Sequence, residues 1–311
     1  MVTAEKLPKE IITAIHRKDF KTPVIGVTGG KGGVGKTTVA VNLAEALAEM
    51  DYKVLLADAD VDAPDAAILL GLPLENPVDV FIAMPLIDEE KCTSCGDCVH
   101  ACRRNALFLP RGKVPILMGE CNGCEACFMA CPTGAIYRGE RPVGKTYKTE
   151  RGNLTLYTGE IIPGVEESAF VVNAVKMRAF KEAGAFDIVI IDTSPGTHCN
   201  VINALRGCDA VYAVTEPTPL GAHDLSRILD LVEFIGLNGS VVLNRSDLPG
   251  ARDEIDAIAK RHNAAVTVDI PMDELLMKSC AEGIPVVGTY PEAESSKRFI
   301  KMAEDIAGEC L

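Results

Sequence analysis

The segment GGKGGVGKTT, Gly29 to Thr38, follows the apolar, β-branched run Val24 to Thr28 and opens the amphipathic stretch Thr37 to Met50. That order of strand, glycine-rich loop and helix allows very few local structures. It fits G-x-x-x-x-G-K-T with Gly30, Gly35, Lys36 and Thr37, so the phosphate-binding loop comprises Gly30, Lys31, Gly32, Gly33, Val34, Gly35, Lys36, Thr37 and Thr38. The glycines let consecutive backbone amides turn toward an anion, and the helix N-terminus adds positive potential. Lys36 is placed to neutralise β- and γ-phosphate oxygens, and Thr37 to hold Mg²⁺. A glycine-rich turn without a ligand is the alternative, and the flanking strand and helix weigh against it.

Outside residues 87–140 the chain alternates short apolar runs with amphipathic stretches. Val24 to Thr28, Val54 to Ala57, Ile188 to Ile191, Ala210 to Val214, Val241 to Leu243 and Ala265 to Ile270 are predicted strands, hydrophobic on both faces. Thr37 to Met50, Glu166 to Ala183, Leu220 to Gly236, Ala251 to Asn263 and Glu292 to Ile306 are predicted helices. The pattern implies an α/β fold, a doubly wound, mainly parallel sheet with ligands at the carboxyl ends of its strands. Leu7 to Lys18 is predicted to form one more short helix that docks on the sheet.

Eight of the 12 cysteines lie between Cys92 and Cys131. They form two runs of spacing C-x₂-C-x₂-C-x₃-C: Cys92, Cys95, Cys98, Cys102, and Cys121, Cys124, Cys127, Cys131. The segment Cys92 to Leu107 repeats as Cys121 to Ile136 at an offset of 29 residues. So short a unit cannot bury an apolar face of its own and needs something else to hold it. Cysteine makes up about 4 % of the chain, below the roughly 8–10 % of disulfide scaffolds, which points the thiols toward metal. The spacing resembles the bacterial ferredoxin run, in which three cysteines bind one 4Fe–4S cluster and the fourth binds the other. That resemblance implies a crossed pairing, with Cys92, Cys95, Cys98 and Cys131 on one cluster and Cys121, Cys124, Cys127 and Cys102 on the second. Structural zinc is the rival, although two C-x₂-C pairs would suffice for it. Pro132 follows the second run, whereas Arg103 occupies that place in the first, a departure that touches no ligand.

The string KGGVGKTT, with its additional Lys31, resembles the deviant Walker A loop of the MinD/ParA family of ATPases. LLADAD with Asp58 and Asp60, IVIIDTSPG with Asp192 and Gly196, TEPTPLGAHDL from Thr215, and VVLNR with Asn244 continue that resemblance on both sides of the cysteine segment. It implies a homodimer sandwiching ATP, with Lys31 reaching the partner's nucleotide and Lys36 acting within its own subunit. It further implies that Asp60 positions the attacking water, that Asp58 and Asp192 organise Mg²⁺, that Gly196 offers an amide to the γ-phosphate, and that Asn244 reads adenine. The whole chain resembles MinD-superfamily ATPases carrying an inserted ferredoxin domain, so the expected organisation is ATPase (1–86), a small inserted α+β two-cluster domain (87–140) and ATPase again (141–311).

Cys199 lies seven residues after Asp192, near where the related nitrogenase iron protein has a cluster-binding cysteine. A small thiol at a helix start is the plainer reading, and packing is the default for Cys208, Cys280 and Cys310. The net charge of −13 argues against nucleic acid as a partner. No run approaches the roughly 18 apolar residues of a membrane span, and the polar start Met1 to Lys9 lacks a signal-peptide core, so the expected location is the cytoplasm. The expected function is ATP hydrolysis coupled to electron transfer through two 4Fe–4S clusters to a partner redox enzyme. The alternatives are a maturation ATPase that delivers a metal cofactor to an apo-metalloprotein, and a switch whose clusters sense redox state.

Overall fold

The computed structural model describes residues 20–311; the helix expected over Leu7 to Lys18 lies outside the described residues. Its strands, in chain order, are β1 (Val24–Thr28), β2 (Val54–Asp58), β3 (Val78–Ile87), β4 (Leu107–Phe108), β5 (Ile116–Leu117), β6 (Ile136–Arg151), β7 (Leu154–Ile161), β8 (Ile188–Asp192), β9 (Ala210–Thr215), β10 (Asn238–Asn244) and β11 (Val266–Ile270). Nine of them make one sheet in the order β11-β10-β9-β1-β8-β2-β7-β6-β3. From β11 through β7 every neighbouring pair is parallel, whereas β7–β6 and β6–β3 are antiparallel.

Burial on both faces explains why the central strands read as unbroken apolar runs. Successive residues alternate sides. Val24, Leu55, Val189, Ile191, Val211 and Leu243 pack on one face with Val171, Val175, Leu225 and Ile228 of the helices Ser168–Glu182 and Pro219–Phe234. Ile25, Val27, Leu56, Ile190 and Val242 pack on the other with Leu43, Leu47, Phe299 and Met302 of the helices Lys36–Glu49 and Glu294–Cys310. Because β1 lies between β8 and β9, the chain crosses the sheet there in both directions, which opens a crevice at the carboxyl end of β1.

Among the described residues, the other five anticipated helices and the six anticipated strands are present with ends shifted by a few residues. The antiparallel edge and the helices Glu274–Glu282 and Val286–Thr289 were not anticipated. β6 reads IYRGERPVGKTYKTER, too polar to resemble a buried strand. It gains its order from length, pairing with β3 from Val78↔Thr146 to Ile87↔Ile136 and with β7 along its second half. The β3–β6 register slips between Val80 and Phe81, opposite Gly144 and Pro142. Val143 is therefore the extra residue of a bulge beside a proline that has no N–H to give to the ladder.

Residues 88–135 leave the sheet between the paired ends Ile87 and Ile136, so the cysteine segment projects from the tip of a long hairpin. It holds the helices Asp97–Ala101 and Ala126–Ala130, the β4–β5 pair, and a small core of Cys98, Leu107, Cys127 and Ile136. The repeat is also written in the backbone. Left-handed residues recur at the 29-residue offset: Ser94 and Gly123, Gly96 and Glu125, Asn105 and Gly134.

Candidate functional site

The loop after β1 curls over the N-terminus of helix Lys36–Glu49, with Gly33 at φ +81° and Gly35 at φ +95°. Both values favour glycine, and Gly35 is doubly constrained because a Cβ there would strike the Asn244 amide. Lys36 is only 5 % exposed and its Nζ donates to the Lys31 carbonyl at 3.4 Å. Burial lowers its pKa, while Asp192 and Asp60 pull it back up.

Asp58 and Asp192 stand side by side at the paired ends of β2 and β8, both fully buried. Their carboxylates are used differently. Asp58 accepts the N–H groups of Asp60 (3.0 Å) and Ala66 (3.1 Å) and the Thr158 hydroxyl (3.4 Å), which fixes the turn carrying Asp60. Neither Asp192 oxygen has a hydrogen-bond partner among the described residues; the Thr37 hydroxyl is near enough to lower its pKa without closing a bond to it. Burial raises both acids, and for Asp58 the Asp192 charge adds to the effect. A buried carboxylate with free lone pairs, beside a threonine hydroxyl and a lysine, is a setting for a hydrated Mg²⁺. Asp60 borders the open cleft, and burial raises it to about 6.

Beyond Asp192 the chain turns through Gly196, at φ +94°, whose N–H donates to the Gly29 carbonyl at 3.1 Å. The amide expected to meet a γ-phosphate is thus bonded to the phosphate loop itself. Lys31 is also held within its own chain, with Nζ 3.5 Å from Glu216 Oε1, while Arg245 Nη1 reaches Glu216 Oε2 at 2.9 Å. Asn244 Nδ2 donates to the Val34 carbonyl at 2.8 Å, joining β10 to the loop.

Of these groups Gly33, Gly35, Lys36, Asp60, Asn244 and Arg245 border a cleft of about 900 Å³, whereas Lys31, Asp58, Asp192 and Gly196 are not part of its wall. One side is polar, with Lys36, Thr37, Thr38 and Asp60; the other is largely apolar, with Leu248, Pro271, Met272, Leu276 and Met277 near Asn244 and Arg245. A polar anion cradle continuous with an apolar slot suits a nucleotide, phosphates at one end and base at the other. The apolar wall is what motif reading missed. Its one sequence signal is the pair Asp273 and Gly283 bounding Glu274–Glu282: Asp273 accepts the Leu275 N–H at 2.8 Å, and Gly283 is left-handed at φ +67°.

The eight clustered cysteines divide between two small cavities. Cys92, Cys95, Cys98 and Cys131 line one; Cys102, Cys121, Cys124 and Cys127 line the other, with Ala83 and Pro85 of β3. Among the described residues no three His, Cys, Asp or Glu side chains converge closely enough to grip a single metal ion. Zinc holds its thiolates at about 2.3 Å from one centre, whereas a cubane carries its ligands at separated corners. Each cavity has four thiols on its wall, the ligand number of a 4Fe–4S cluster and of a structural zinc alike. Cys199 is exposed and begins helix Cys199–Leu205, with His198 at the N-cap position.

A model of the CobQ/CobB/MinD/ParA nucleotide binding domain matches residues 25–286. The chain belongs to this family. It is a MinD/ParA-type P-loop ATPase with a nucleotide-binding domain. Among curated relatives, an uncharacterized protein of Methanocaldococcus jannaschii is 36 % identical over 71 % of this chain and 80 % of its own. The iron-sulfur cluster carrier protein of Synechocystis is 26 % identical over 92 % of this chain and 70 % of its own. The solved Pyrococcus horikoshii septum site-determining protein MinD, complexed with Mg-ADP, is 22 % identical, covers 92 % of this chain and 96 % of its own, and has a TM-score of 0.57, a likeness of fold. No helix among the described residues of this ATPase is long and apolar enough to cross a membrane.

Proposed function

We propose that the chain is a homodimeric, Mg²⁺-dependent ATPase that gates one-electron transfer through two 4Fe–4S clusters to a partner redox enzyme. The observation that carries this reading is the pair of four-cysteine cavities, divided in the crossed pattern of a two-cluster ferredoxin and mounted on a hairpin of the ATPase sheet. Residues 87–140 are accordingly assigned as a ferredoxin-type module, Cys92, Cys95, Cys98 and Cys131 holding one cluster and Cys102, Cys121, Cys124 and Cys127 the other. The clusters supply a place for single electrons to rest between a donor and an acceptor.

In the nucleotide cleft, Gly30, Lys31, Gly32, Gly33, Val34, Gly35, Lys36, Thr37 and Thr38 receive the phosphates, and Asn244 borders the base. Thr37 and Asp192 are assigned to the hydrated Mg²⁺, in keeping with the unpaired Asp192 oxygens. Asp58, expected to organise Mg²⁺, has its oxygens engaged by the Asp60 and Ala66 N–H groups, so its part in this proposal is instead to hold Asp60 where it can orient water for attack on the γ-phosphorus. Gly196 exchanges the Gly29 carbonyl for a γ-phosphate oxygen when ATP binds, and loses that acceptor when phosphate leaves. Lys31 leaves Glu216 for the partner subunit's nucleotide, so dimerisation and ATP binding reinforce each other.

Relatives named iron-sulfur cluster carrier proteins favour a second reading, delivery of a cluster to an apo-metalloprotein. The closed sets of four ligands argue for retention rather than cargo. Incubating iron-57-loaded protein, reduced beforehand with dithionite and freed of the excess, with ATP, an acceptor dye and an apo-acceptor separates the two: retained label with ATP-dependent passage of the clusters' electrons to the dye supports electron gating, and movement of label into the apo-acceptor refutes it.

A further inference from the structure

The two cysteine cavities are seated differently on the ATPase body: the one lined by Cys92, Cys95, Cys98 and Cys131 meets only the hairpin ends Ile87 and Ile136. The one lined by Cys102, Cys121, Cys124 and Cys127 rests on β3, where Gly123 presses so closely that a Cβ would lie 3.1 Å from the Ile82 side chain and 3.2 Å from the Ala83 carbonyl. Both of its cysteine segments are tied to one point of the body. Arg141 Nη2 donates to the Cys121 carbonyl at 2.9 Å and to Glu167 Oε2 at 3.0 Å, while its Nη1 reaches Glu120 Oε2 at 3.2 Å. Arg104, two residues past Cys102, lies 3.9 Å from Glu166.

Glu167 is 9 % exposed and immediately precedes helix Ser168–Glu182. Glu167 Oε1 and Arg141 Nε are buried without partners, so the charge pair is held tightly on one side and incompletely satisfied on the other. Removing Arg141 would leave the Glu167 carboxylate buried without a cation, so the contact is costly to break. The same helix is locked to the segment that follows the nucleotide switch. Asn200 Nδ2 donates to Ser168 Oγ at 2.7 Å, and buried Lys176 donates to the Asn203 carbonyl at 2.5 Å and to the Arg206 carbonyl. Helix Cys199–Leu205, which carries Asn200 and Asn203, starts three residues after Gly196.

We infer that Arg141 and Glu167 form a mechanical clamp through which movement of the Asp192–Gly196 loop reaches the Cys121 segment, making the body-side cavity the one that responds to nucleotide. Arg141 is a positioning residue: it fixes the carbonyl of a cysteine that lines the cavity and touches no thiol. The bistable element is the Gly196 amide, whose acceptor is either Gly29 or phosphate, an exchange taken from the function proposed above. The outer cavity, with Cys92, Cys95, Cys98 and Cys131, is then the exchange point for electrons with a partner.

The test uses the full chain, loaded anaerobically, as wild type and as Glu167→Gln, Arg141→Lys and Arg141→Ala. Hydrogen exchange is followed over residues 119–127 with and without Mg-ATP, and the electron paramagnetic resonance spectrum of the reduced protein is recorded in parallel. The expected result is nucleotide-dependent protection of 119–127 and a nucleotide-dependent change in one cluster signal in wild type. Both are lost in Glu167→Gln and Arg141→Ala and partly restored in Arg141→Lys, with ATP turnover retained. Protection that is absent in wild type, or that persists in all three variants, overturns the clamp. Because exchange reads the backbone, that failure is distinct from a lack of bound iron, which would refute the cluster assignment itself.

Discussion

Charge placement decides the chemistry of the nucleotide cleft residue by residue. Lys36 and Asp192 are buried groups that each need a partner of opposite sign, and Mg-ATP supplies both. Lys36→Ala is expected to abolish nucleotide binding, measured calorimetrically. Asp60→Asn should retain binding and cut hydrolysis by about 10²-fold or more, read as phosphate release. Asp60 also gives a pH signature. Its folded pKa of about 6 lies above the ordinary 3.8, so the folded state takes up a proton across that interval and loses this stabilisation as pH rises through about 6. The melting temperature of Asp60→Asn relative to wild type should therefore climb between about pH 4.5 and pH 7, and a flat difference would contradict the assignment. Lys36 was placed from sequence by the loop spacing at a helix start, and Asp60 and Asp192 by the family resemblance of LLADAD and IVIIDTSPG. Glu216 and Arg245 were not, since a side chain that only holds another in place leaves no spacing rule. Their roles emerge from the 3.5 Å and 2.9 Å contacts that restrain Lys31.

Among elements, helix Glu274–Glu282 shows how a ligand wall depends on a cap. Asp273 accepts N–H groups from Leu275 and Ser295 and the Ser295 hydroxyl, tying this helix to Glu294–Cys310. Asp273→Ala should cost about 1–2 kcal/mol by denaturant titration and weaken nucleotide binding, because Leu276 and Met277 shift with the helix. In the sheet, Ile190→Ala at a fully buried position should cost about 2–5 kcal/mol. The central parallel strands were readable because burial on both faces forces apolar runs such as IVII before Asp192. The β3–β6–β7 edge escaped notice because β6 mixes Arg, Glu and Lys with its buried positions and its bulge breaks the two-residue period.

At the scale of the molecule, one mainly parallel sheet carries both a nucleotide cleft and, on an antiparallel hairpin at its edge, two cysteine-lined cavities. The crossed ligand sets predict which substitutions act alike. Cys131→Ser should perturb the same cluster signal as Cys95→Ser, and Cys102→Ser the same signal as Cys124→Ser, each lowering iron from about eight to about four per chain. Pairing by sequence run instead would refute the crossed arrangement. The ferredoxin resemblance anticipated how the eight cysteines divide between two cavities, but not the unequal seating of those cavities: only the fold brings Gly123 onto β3 and Arg141 between Cys121 and Glu167. Coupling between nucleotide and clusters is the central claim, and anaerobic potentiometry tests it directly. The purified chain, carrying about eight iron and eight sulfide, should show a different reduction potential for one cluster with Mg-ATP than with Mg-ADP. Identical potentials for both clusters in the two nucleotides would contradict it.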